Sequence, residues 1–153
     1  MRNMRRKDRE MSREFALEVA DKCLFASLAT VNDDGSPYSV ALSPVRDGDW
    51  FYIHGAHEGH KIDNMRREKR VCLSFVSRAE AVQEKNTVSY DSAVVFGTAE
   101  EVTDPNEKIH ALRLICERYA PRNIHNFDVE IGKGLEHTAI WKIHIDGISG
   151  KTH

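Results

Sequence analysis

A stretch from Phe51 to Lys61 contains the residues whose types and spacing are best suited to chemistry. Strand-forming residues lead into a loop bracketed by Gly55 and Gly59, and Lys61 then opens a short amphipathic segment. Glycines allow backbone N–H groups to approach an anion closely, a helix N-terminus adds unpaired N–H donors, and the lysine adds a full charge. The stretch therefore predicts a monophosphate site, and a plain turn before a solvated helix is the alternative. The spacing is not that of a Walker A loop.

Three histidines in the same stretch allow a second interpretation. His54, His57 and His60 are spaced by three residues, and three imidazoles can bind zinc or another transition metal. A single imidazole could instead ligate haem. Gly55 and Gly59 disfavour the regular helix that would align the three rings, and no fourth ligand stands nearby in the sequence. We therefore predict no metal site and keep a haem or metal protein as an alternative class.

The bulk composition is that of an ordinary globular protein. The chain has 153 residues, of which 41% are hydrophobic and 30% are charged. We expect a single domain over residues 1–153, with residues 1–10 as an N-terminal arm. The formal net charge of -2 provides no basic field for nucleic acid, and no apolar run approaches the ~20 residues of a membrane helix. We expect neither nucleic acid nor a membrane as a partner.

The cysteines indicate a reducing compartment. Cys23, Cys72 and Cys116 each stand among apolar residues, no two form a C-x-x-C pair, and their number is odd. This pattern is typical of buried thiols in a protein that forms no disulfides. The N-terminus is basic but lacks the apolar core of a signal peptide. We therefore expect a cytoplasmic protein.

The first half of the chain predicts a helix followed by strands. Ser12 is a candidate N-cap for a helix over residues 12–22. Strand formers then fill residues 23–31, 37–45 and 50–54, and two short turns separate them. We expect these three segments to form a three-stranded antiparallel meander.

The second half alternates helices and strands. We expect a short helix over 61–67, strands over 71–76, 93–99 and 138–145, a helix from Asp104-Pro105 to Tyr119, irregular chain over 122–136, and a less certain polar segment over 79–90. Gly97 is a candidate bulge or point of close approach. Six antiparallel strands with flanking helices predict a mainly β protein, a small closed or partly closed barrel. Such a barrel fills its interior with side chains, so a ligand must bind outside it or in a groove shared with another subunit.

Two further features lie on the predicted strands. Trp141 could stack on a flat heteroaromatic ring or simply fill the core, and its spacing favours the core. The segment Tyr38–Ala41 lies between Pro37 and Pro44, and proline is confined to the edges or ends of strands. This strand could therefore leave backbone groups free for a ligand.

Several motifs, taken together and in order, carry a family resemblance. They are Met4–Met11, Gly35–Tyr38, Tyr52–Ala56, Gly59–Lys61, Val94–Ala99 and Glu107-Lys108. With these motifs the chain resembles the 5-nitroimidazole-resistance (Nim) branch of the pyridoxamine 5'-phosphate oxidase-like proteins, over nearly its whole length. The resemblance implies an FMN-binding split barrel of the antiparallel, six-stranded, Greek-key type. It also implies a homodimer with FMN at the subunit interface.

The resemblance also implies roles for individual residues. The implied FMN contacts are Ser39, Val40 and Ala41 at the ring edge, His54, Gly55 and Ala56 along the ribityl chain and near the ring, His60 and Lys61 at the phosphate, and Trp141 from the partner subunit. His54 is the implied catalytic residue. Tyr90 and Ser92 are expected on the substrate side.

The resemblance limits the function in one respect. The chain ends in Asp146–Lys151 without the arginine-rich motif that pyridoxamine-phosphate oxidases use for their substrate, so oxidation of that substrate is not expected. The implied function is an FMN-dependent oxidoreductase that reduces small acceptors such as nitro compounds. A flavin-binding protein without catalysis is the alternative, beside the haem or metal protein, and no nucleotide-binding fingerprint identifies the electron donor.

Overall fold

The computed structural model describes residues 4–153, apart from the side chains at positions 130, 132 and 133. The first three residues of the predicted arm lie outside the described residues. The helices are α1 (Arg13–Lys22), α2 (His60–Arg67), α3 (Pro105–Tyr119) and α4 (Phe127–Gly134). The strands are β1 (Glu10–Met11), β2 (Ala26–Val31), β3 (Pro37–Leu42), β4 (Val45–Asp47), β5 (Trp50–Gly55), β6 (Arg70–Val82), β7 (Thr87–Glu101) and β8 (Ala139–Thr152).

The strands form one antiparallel sheet that curls around a core. Its order is β3-β2-β6-β7-β8-β5-β4, and β1 pairs with β8. The predicted class, a mainly β split barrel with flanking helices, is confirmed. The sheet has eight strands rather than the predicted six, because Glu10–Met11 joins β8 and the second predicted strand is divided. No helix in the described chain has the length and apolar character needed to cross a bilayer.

Local capping explains where the helices begin. The Ser12 hydroxyl accepts a hydrogen bond from the Phe15 N–H at 3.2 Å, and the Asp104 carboxylate accepts one from the Glu107 N–H at 3.0 Å. Each bond satisfies an N–H that has no partner inside the helix. The predicted helices over 12–22 and 104–119 are therefore confirmed, and so is the short helix after the glycine loop.

The barrel interior is filled by side chains, as expected. Strand alternation turns one side of each strand inward, and α1 and α2 close the ends with Ala16, Val19, Ile62 and Met65. The largest fully buried side chains are Phe51, Phe75, Leu28, Ile62, Met65, Leu73, Ile140, Ile143 and Val95. Because the interior is packed, it holds no ligand.

The predicted three-stranded meander is wrong. The chain breaks at Ser43-Pro44, so β3 pairs with β2 whereas β4 pairs with β5, and β5 pairs on its other side with β8. Proline has no N–H to donate to a ladder and ends a strand. The break moves β3 and β5 to distant positions in the sheet.

Two other segments differ from the prediction. Residues 79–90 continue β6 and β7 into a long hairpin that turns through Gln83–Lys85, with Asn86 left-handed at φ 47. Residues 122–136 are helical rather than irregular, since α4 lies between the 3-10 turns Pro121–Asn126 and Leu135–His137. The tertiary fold decides this, because α4 is held by the burial of Phe127, which is 5% exposed.

The three cysteines are free thiols, but only Cys23 is buried. The prediction of three buried thiols is therefore wrong for Cys72 and Cys116, which are half-buried. Cys72 lies on the outer side of β6, and Cys116 lies on α3.

Gly97 is a point of close approach, as predicted. The β7–β8 pairing shifts register between Phe96 and Gly97. A Cβ at this glycine would stand 2.4 Å from the His144 carbonyl oxygen and 2.6 Å from Ile143 Cγ2. No side chain can occupy this position without moving the backbone of β8.

Candidate functional site

The end of β5 and the start of α2 form one corner of the molecule. A methyl group at Gly55 would stand 3.6 Å from the Lys61 Nζ, so the half-buried lysine folds back along the strand end. Gly59 precedes α2 with φ 131 and no side-chain cap, which leaves the first N–H groups of the helix without a capping side chain. This corner gathers backbone donors and a positive charge, the elements of an anion site.

His54 lies beside this corner. More than a third of the residue is exposed, yet loss of water around the ring lowers the pKa of His54, and the Lys61 charge acts in the same direction. At neutral pH the imidazole is therefore uncharged. A neutral imidazole has one nitrogen that donates and one that accepts a hydrogen bond, so it can exchange a proton with a bound molecule.

The three histidines of the glycine loop point to different partners. The His57 ring donates to the Glu136 carbonyl at 3.0 Å, and His60 Nε2 lies 2.7 Å from Asn32 Oδ1. His54 faces neither of these groups. No set of three metal-ligating side chains comes together within the part of the chain that the structure describes.

His60 belongs to a polar cluster at the β2–β3 turn. Its ring stacks on Tyr38 with centroids 3.9 Å apart, and the buried Asn64 amide donates to Thr30 Oγ1 at 2.9 Å and to Asn32 Oδ1 at 2.8 Å. The cluster fixes the orientation of α2 against β2. His60 is therefore placed beside Tyr38, on the β2–β3 turn, and its predicted phosphate contact stays a prediction.

Ser39 and Ala41 lie on a surface that we call the bare face. Cross-strand pairing places two rows of outward residues across β3, β2, β6, β7 and β8. The bare face consists of Ala41, Ser27, Ser74, Val94 and Ser149 in one row and Ser39, Ala29, Cys72, Phe96 and Gly147 in the other. All are small or apolar and none is charged. Val40 points inward and packs against the core instead, so only its backbone remains for a ligand, and its predicted flavin contact stays a prediction.

Trp141 fills the core, the interpretation that its spacing favours. It pairs with Ile53 across β5, and only 3% of it is exposed. Its indole N–H is buried and has no hydrogen-bond partner in the part of the chain that the structure describes. The structure thus does not bring Trp141 to the His54 surface, and its contact with a partner subunit's flavin stays a prediction.

Tyr90 and Ser92 lie far from His54 within one chain. Tyr90 pairs with His153 and Ser92 with Lys151 near the end of β8, whereas His54 pairs with Ile140 near its start. The Lys151 ammonium stands 5.2 Å from the Tyr90 ring centre and lowers the pKa of Tyr90. A single chain does not unite these residues with the His54 corner.

The sequence did not predict a cavity that the helices form over β5. It has a volume of about 320 Å³, and His54 contributes to its wall. The other lining residues are Leu112, Ile115, Cys116, Tyr119, Ala120, Asn123, Phe127, Ile131, Gly134 and Thr138. The signal that could have revealed it is the spacing of Phe127 and Ile131, which places both on one side of a helical turn.

This architecture defines a class of protein. It is a split antiparallel barrel with a packed interior, a corner of backbone donors and positive charge at one strand end, and an uncharged outer face. The chain belongs to the pyridoxamine 5'-phosphate oxidase family, whose model matches residues 12–152. The predicted family resemblance is confirmed.

Solved structures share the fold. A proposed 5-nitroimidazole antibiotic resistance protein from Bacteroides thetaiotaomicron superposes with a TM-score of 0.76 at 22% identity, covering 94% of this chain and 86% of that one. An FAD-binding protein from Mesorhizobium loti has a TM-score of 0.70 at 25% identity, covering 95% and 97%. An FAD- and haem-binding protein from Mycobacterium smegmatis has a TM-score of 0.76 at 23% identity, covering 94% and 73%. No curated protein matches this chain.

Proposed function

We propose that this chain binds FMN as a homodimer and acts as an oxidoreductase that reduces small acceptors, nitro compounds among them. Family membership supports a flavin, and two of the similar structures are named for binding FAD. The observation that carries the proposal is the Lys61 ammonium folded against Gly55 at the start of α2. The size and charge of this corner suit a terminal monophosphate, the group in which FMN ends.

Lys61 and the start of α2 would hold the phosphate. The N–H groups of Ile62 and Asp63 both donate to the Gly59 carbonyl, at 2.8 and 3.0 Å, which leaves those of His60 and Lys61 free for an anion. Among the described side chains, no carboxylate forms an ion pair with the Lys61 ammonium. A phosphate would supply the missing counter-charge, so the residues present fit the group.

The bare face supports the homodimer. Isolated exposed apolar residues are common, but a continuous uncharged face across five strands indicates a surface that another protein covers. Phe96, 43% exposed, is its largest apolar residue, and Val76, 55% exposed, adds apolar area beside it on β6. The occupant that we propose is a second copy of this chain, because the predicted ring contacts at Ser39 and Ala41 lie on this face and a packed barrel needs a second surface to enclose a flavin.

His54 would be the catalytic residue. FMN, when bound, supplies reversible redox chemistry that the protein only positions. The uncharged His54 imidazole would deliver or accept a proton at a ring nitrogen as the acceptor is reduced. The electron donor is an external reductant, which dithionite can replace in an assay.

The visible spectrum of the purified protein tests the proposal. A yellow dimer with one FMN per chain that dithionite bleaches would support it. A nitroaromatic should then reoxidise the bound flavin faster than it reoxidises free FMN. Lys61→Ala should weaken FMN binding by about 100-fold, since a charge-assisted contact to phosphate is lost. Lys69→Ala, which removes an exposed lysine just after the same helix, is the matched control. A colourless monomer that refuses FMN would overturn the proposal.

The same measurements separate the alternatives. A flavin-binding protein without catalysis would be yellow and would bleach, but its reoxidation by acceptors would not exceed that of free FMN, and His54→Ala would change nothing. A haem protein would show a Soret band instead of a flavin spectrum. His54→Ala should slow turnover more than it weakens FMN binding if His54 moves the proton.

A further inference from the structure

The cavity between α3, α4 and the end of β5 is separate from the Lys61 corner, although His54 borders both. Its walls come from one chain and are mostly aliphatic or aromatic. It is open to solvent and holds about 320 Å³, which lies within the size range of small-molecule sites.

The cavity is preformed, because its walls are fixed by specific contacts. The Tyr119 hydroxyl donates to the Pro44 carbonyl at 2.6 Å, and the Arg113 guanidinium lies 4.3 Å from the centre of the Phe127 ring. The Lys108 ammonium donates to the Leu135 carbonyl at 3.1 Å, and Thr138 Oγ1 donates to the Gly134 carbonyl at 2.9 Å. These contacts hold α4 at a fixed distance from α3 and β5.

The lining determines the charge of a ligand. Among the lining residues whose side chains the structure describes, none is a carboxylate, a lysine or an arginine, and a charged group buried without a partner is costly. The Tyr119 hydroxyl already donates its hydrogen bond to the Pro44 carbonyl. The Cys116 thiol makes only a weak contact of 3.7 Å to the Ala120 carbonyl. His54 and Asn123 are the polar side chains left to orient a ligand.

We propose that this cavity binds an uncharged aromatic molecule of one or two rings, held by the apolar walls and by one hydrogen bond to His54. A volume near the lower limit for ligand cavities favours a small ring system over a macrocycle. Binding does not depend on the flavin. The further role of the ligand as the electron acceptor rests on the proposed function, since only a bound flavin could reduce it.

Calorimetry with two matched probes tests the proposal on the full-length protein as purified. 1-Naphthol is uncharged, and 1-naphthalenesulfonate has the same ring system with a negative charge. We expect one 1-naphthol per chain, with the sulfonate bound at least about tenfold more weakly. No 1-naphthol binding, or equal binding of the two probes, would overturn the proposal.

A pair of α4 variants locates the probe. Ile131 lines the cavity, whereas Val129 on the same helix is 59% exposed. Ile131→Trp should fill the cavity and weaken 1-naphthol at least about tenfold, and Val129→Trp should leave it unchanged. If Ile131→Trp does not fold, Ala120→Leu fills the opposite wall. Unchanged binding in a folded cavity variant would contradict the assignment.

Two further readouts separate this proposal from others. Ile131→Trp should lose 1-naphthol and keep FMN, whereas Lys61→Ala should lose FMN and keep 1-naphthol, so either site can fail alone. Titration with haemin tests whether the cavity binds a porphyrin instead. A Soret shift that His54→Leu abolishes, in a protein that does not bind 1-naphthol, would assign the cavity to a macrocycle and overturn the small-aromatic proposal.

Discussion

The outer side of the barrel has two regions, and the chain's own helices close only one of them. We call the second region, over β4, β5 and the start of β8, the covered face. There α3 packs Ala111 and Ile115 onto Val45, Tyr52 and Ile140. Within the described residues, the bare face across β3, β2, β6, β7 and β8 has no helix over it. The covered face is apolar and the bare face is uncharged, and the cover that we propose for the bare face is a second copy of the chain.

The two faces also differ in their polar groups. On the covered face, Lys142 Nζ lies 2.9 Å from carboxylate oxygens of both Glu100 and Glu107, and the Tyr52 hydroxyl donates to Glu107 at 3.0 Å. Burial raises the pKa of Tyr52 to about 12, with Glu107 adding to the effect. Such groups fix one helix in one register. Among the described residues the bare face has no such network, and its mostly small, uncharged side chains suit the second copy that we propose.

Gly97 is buried in β7 against β8, and its replacement should have the largest effect. Gly97→Ala places a methyl group 2.4 Å from the His144 carbonyl oxygen, so β7 and β8 must separate. We expect a loss of about 3 kcal/mol or more in the free energy of unfolding, measured by urea denaturation. Gly55→Ala is the control, since a methyl group there meets only ordinary contacts. Equal stability of the two variants would contradict the close approach.

A charge on the bare face should separate the proposed dimer. Phe96→Lys places an ammonium group in the middle of an uncharged surface, and burying it without a partner should raise the dimer dissociation constant by about 100-fold. Val129→Lys is matched, because Val129 is also an exposed apolar residue but lies on α4. Sedimentation velocity measures both. A Phe96→Lys protein that stays dimeric would move the interface to another surface.

Removing the Glu107 carboxylate from the covered face should lower the stability of the protein moderately. Glu107→Ala leaves the Tyr52 hydroxyl without its acceptor and Lys142 with only Glu100. We expect a loss of about 1–2 kcal/mol in the free energy of unfolding. Glu18→Ala removes an exposed pair with Lys22 and should cost about 0.5 kcal/mol or less. Similar losses in the two variants would show that the network does not anchor α3.

The smallest expected effect is that of the Lys61 charge on the pKa of His54. Burial lowers the pKa of His54 more than Lys61 does, so Lys61→Gln should raise the pKa of His54 only part of the way toward its usual value, as an NMR titration of the imidazole measures. Because the folded pKa lies below the unfolded value, the unfolded chain binds more protons, and His54 destabilises the fold as pH falls below about 6.5. Lys61→Gln should weaken that acid destabilisation. An unchanged pKa would place Lys61 too far away to act.

Much of the fold followed from local signals. Ser12, Asp104 and Pro105 predicted where α1 and α3 begin, because caps act within one helical turn. Gly97 predicted a close approach. The glycine loop and Lys61 predicted a monophosphate site, and the structure brings Gly55 and Lys61 together because they are only a few residues apart in the chain, whereas the phosphate itself stays a prediction. The six motifs from Met4–Met11 to Glu107-Lys108, taken together and in order, led to the family.

Other features depended on contacts between distant residues. Periodicity could not reveal that Pro44 separates β3 from β5. It could not reveal either that α4 folds over His54, because α4 is stabilised by burial of Phe127 and by contacts with α3 rather than by a helical pattern in its own residues. The directions of His54, His57 and His60 likewise follow from partners elsewhere in the chain: the cavity wall, the Glu136 carbonyl and Asn32.

The sequence by itself determined the local elements, the glycine–lysine corner and the family, because each of these depends on neighbouring residues or on motifs in order. The tertiary structure alone decided which outer residues share a face, which face the helices cover, and that a cavity opens beside His54. Those properties depend on strand register and helix packing, and both are set by contacts between segments far apart in the chain.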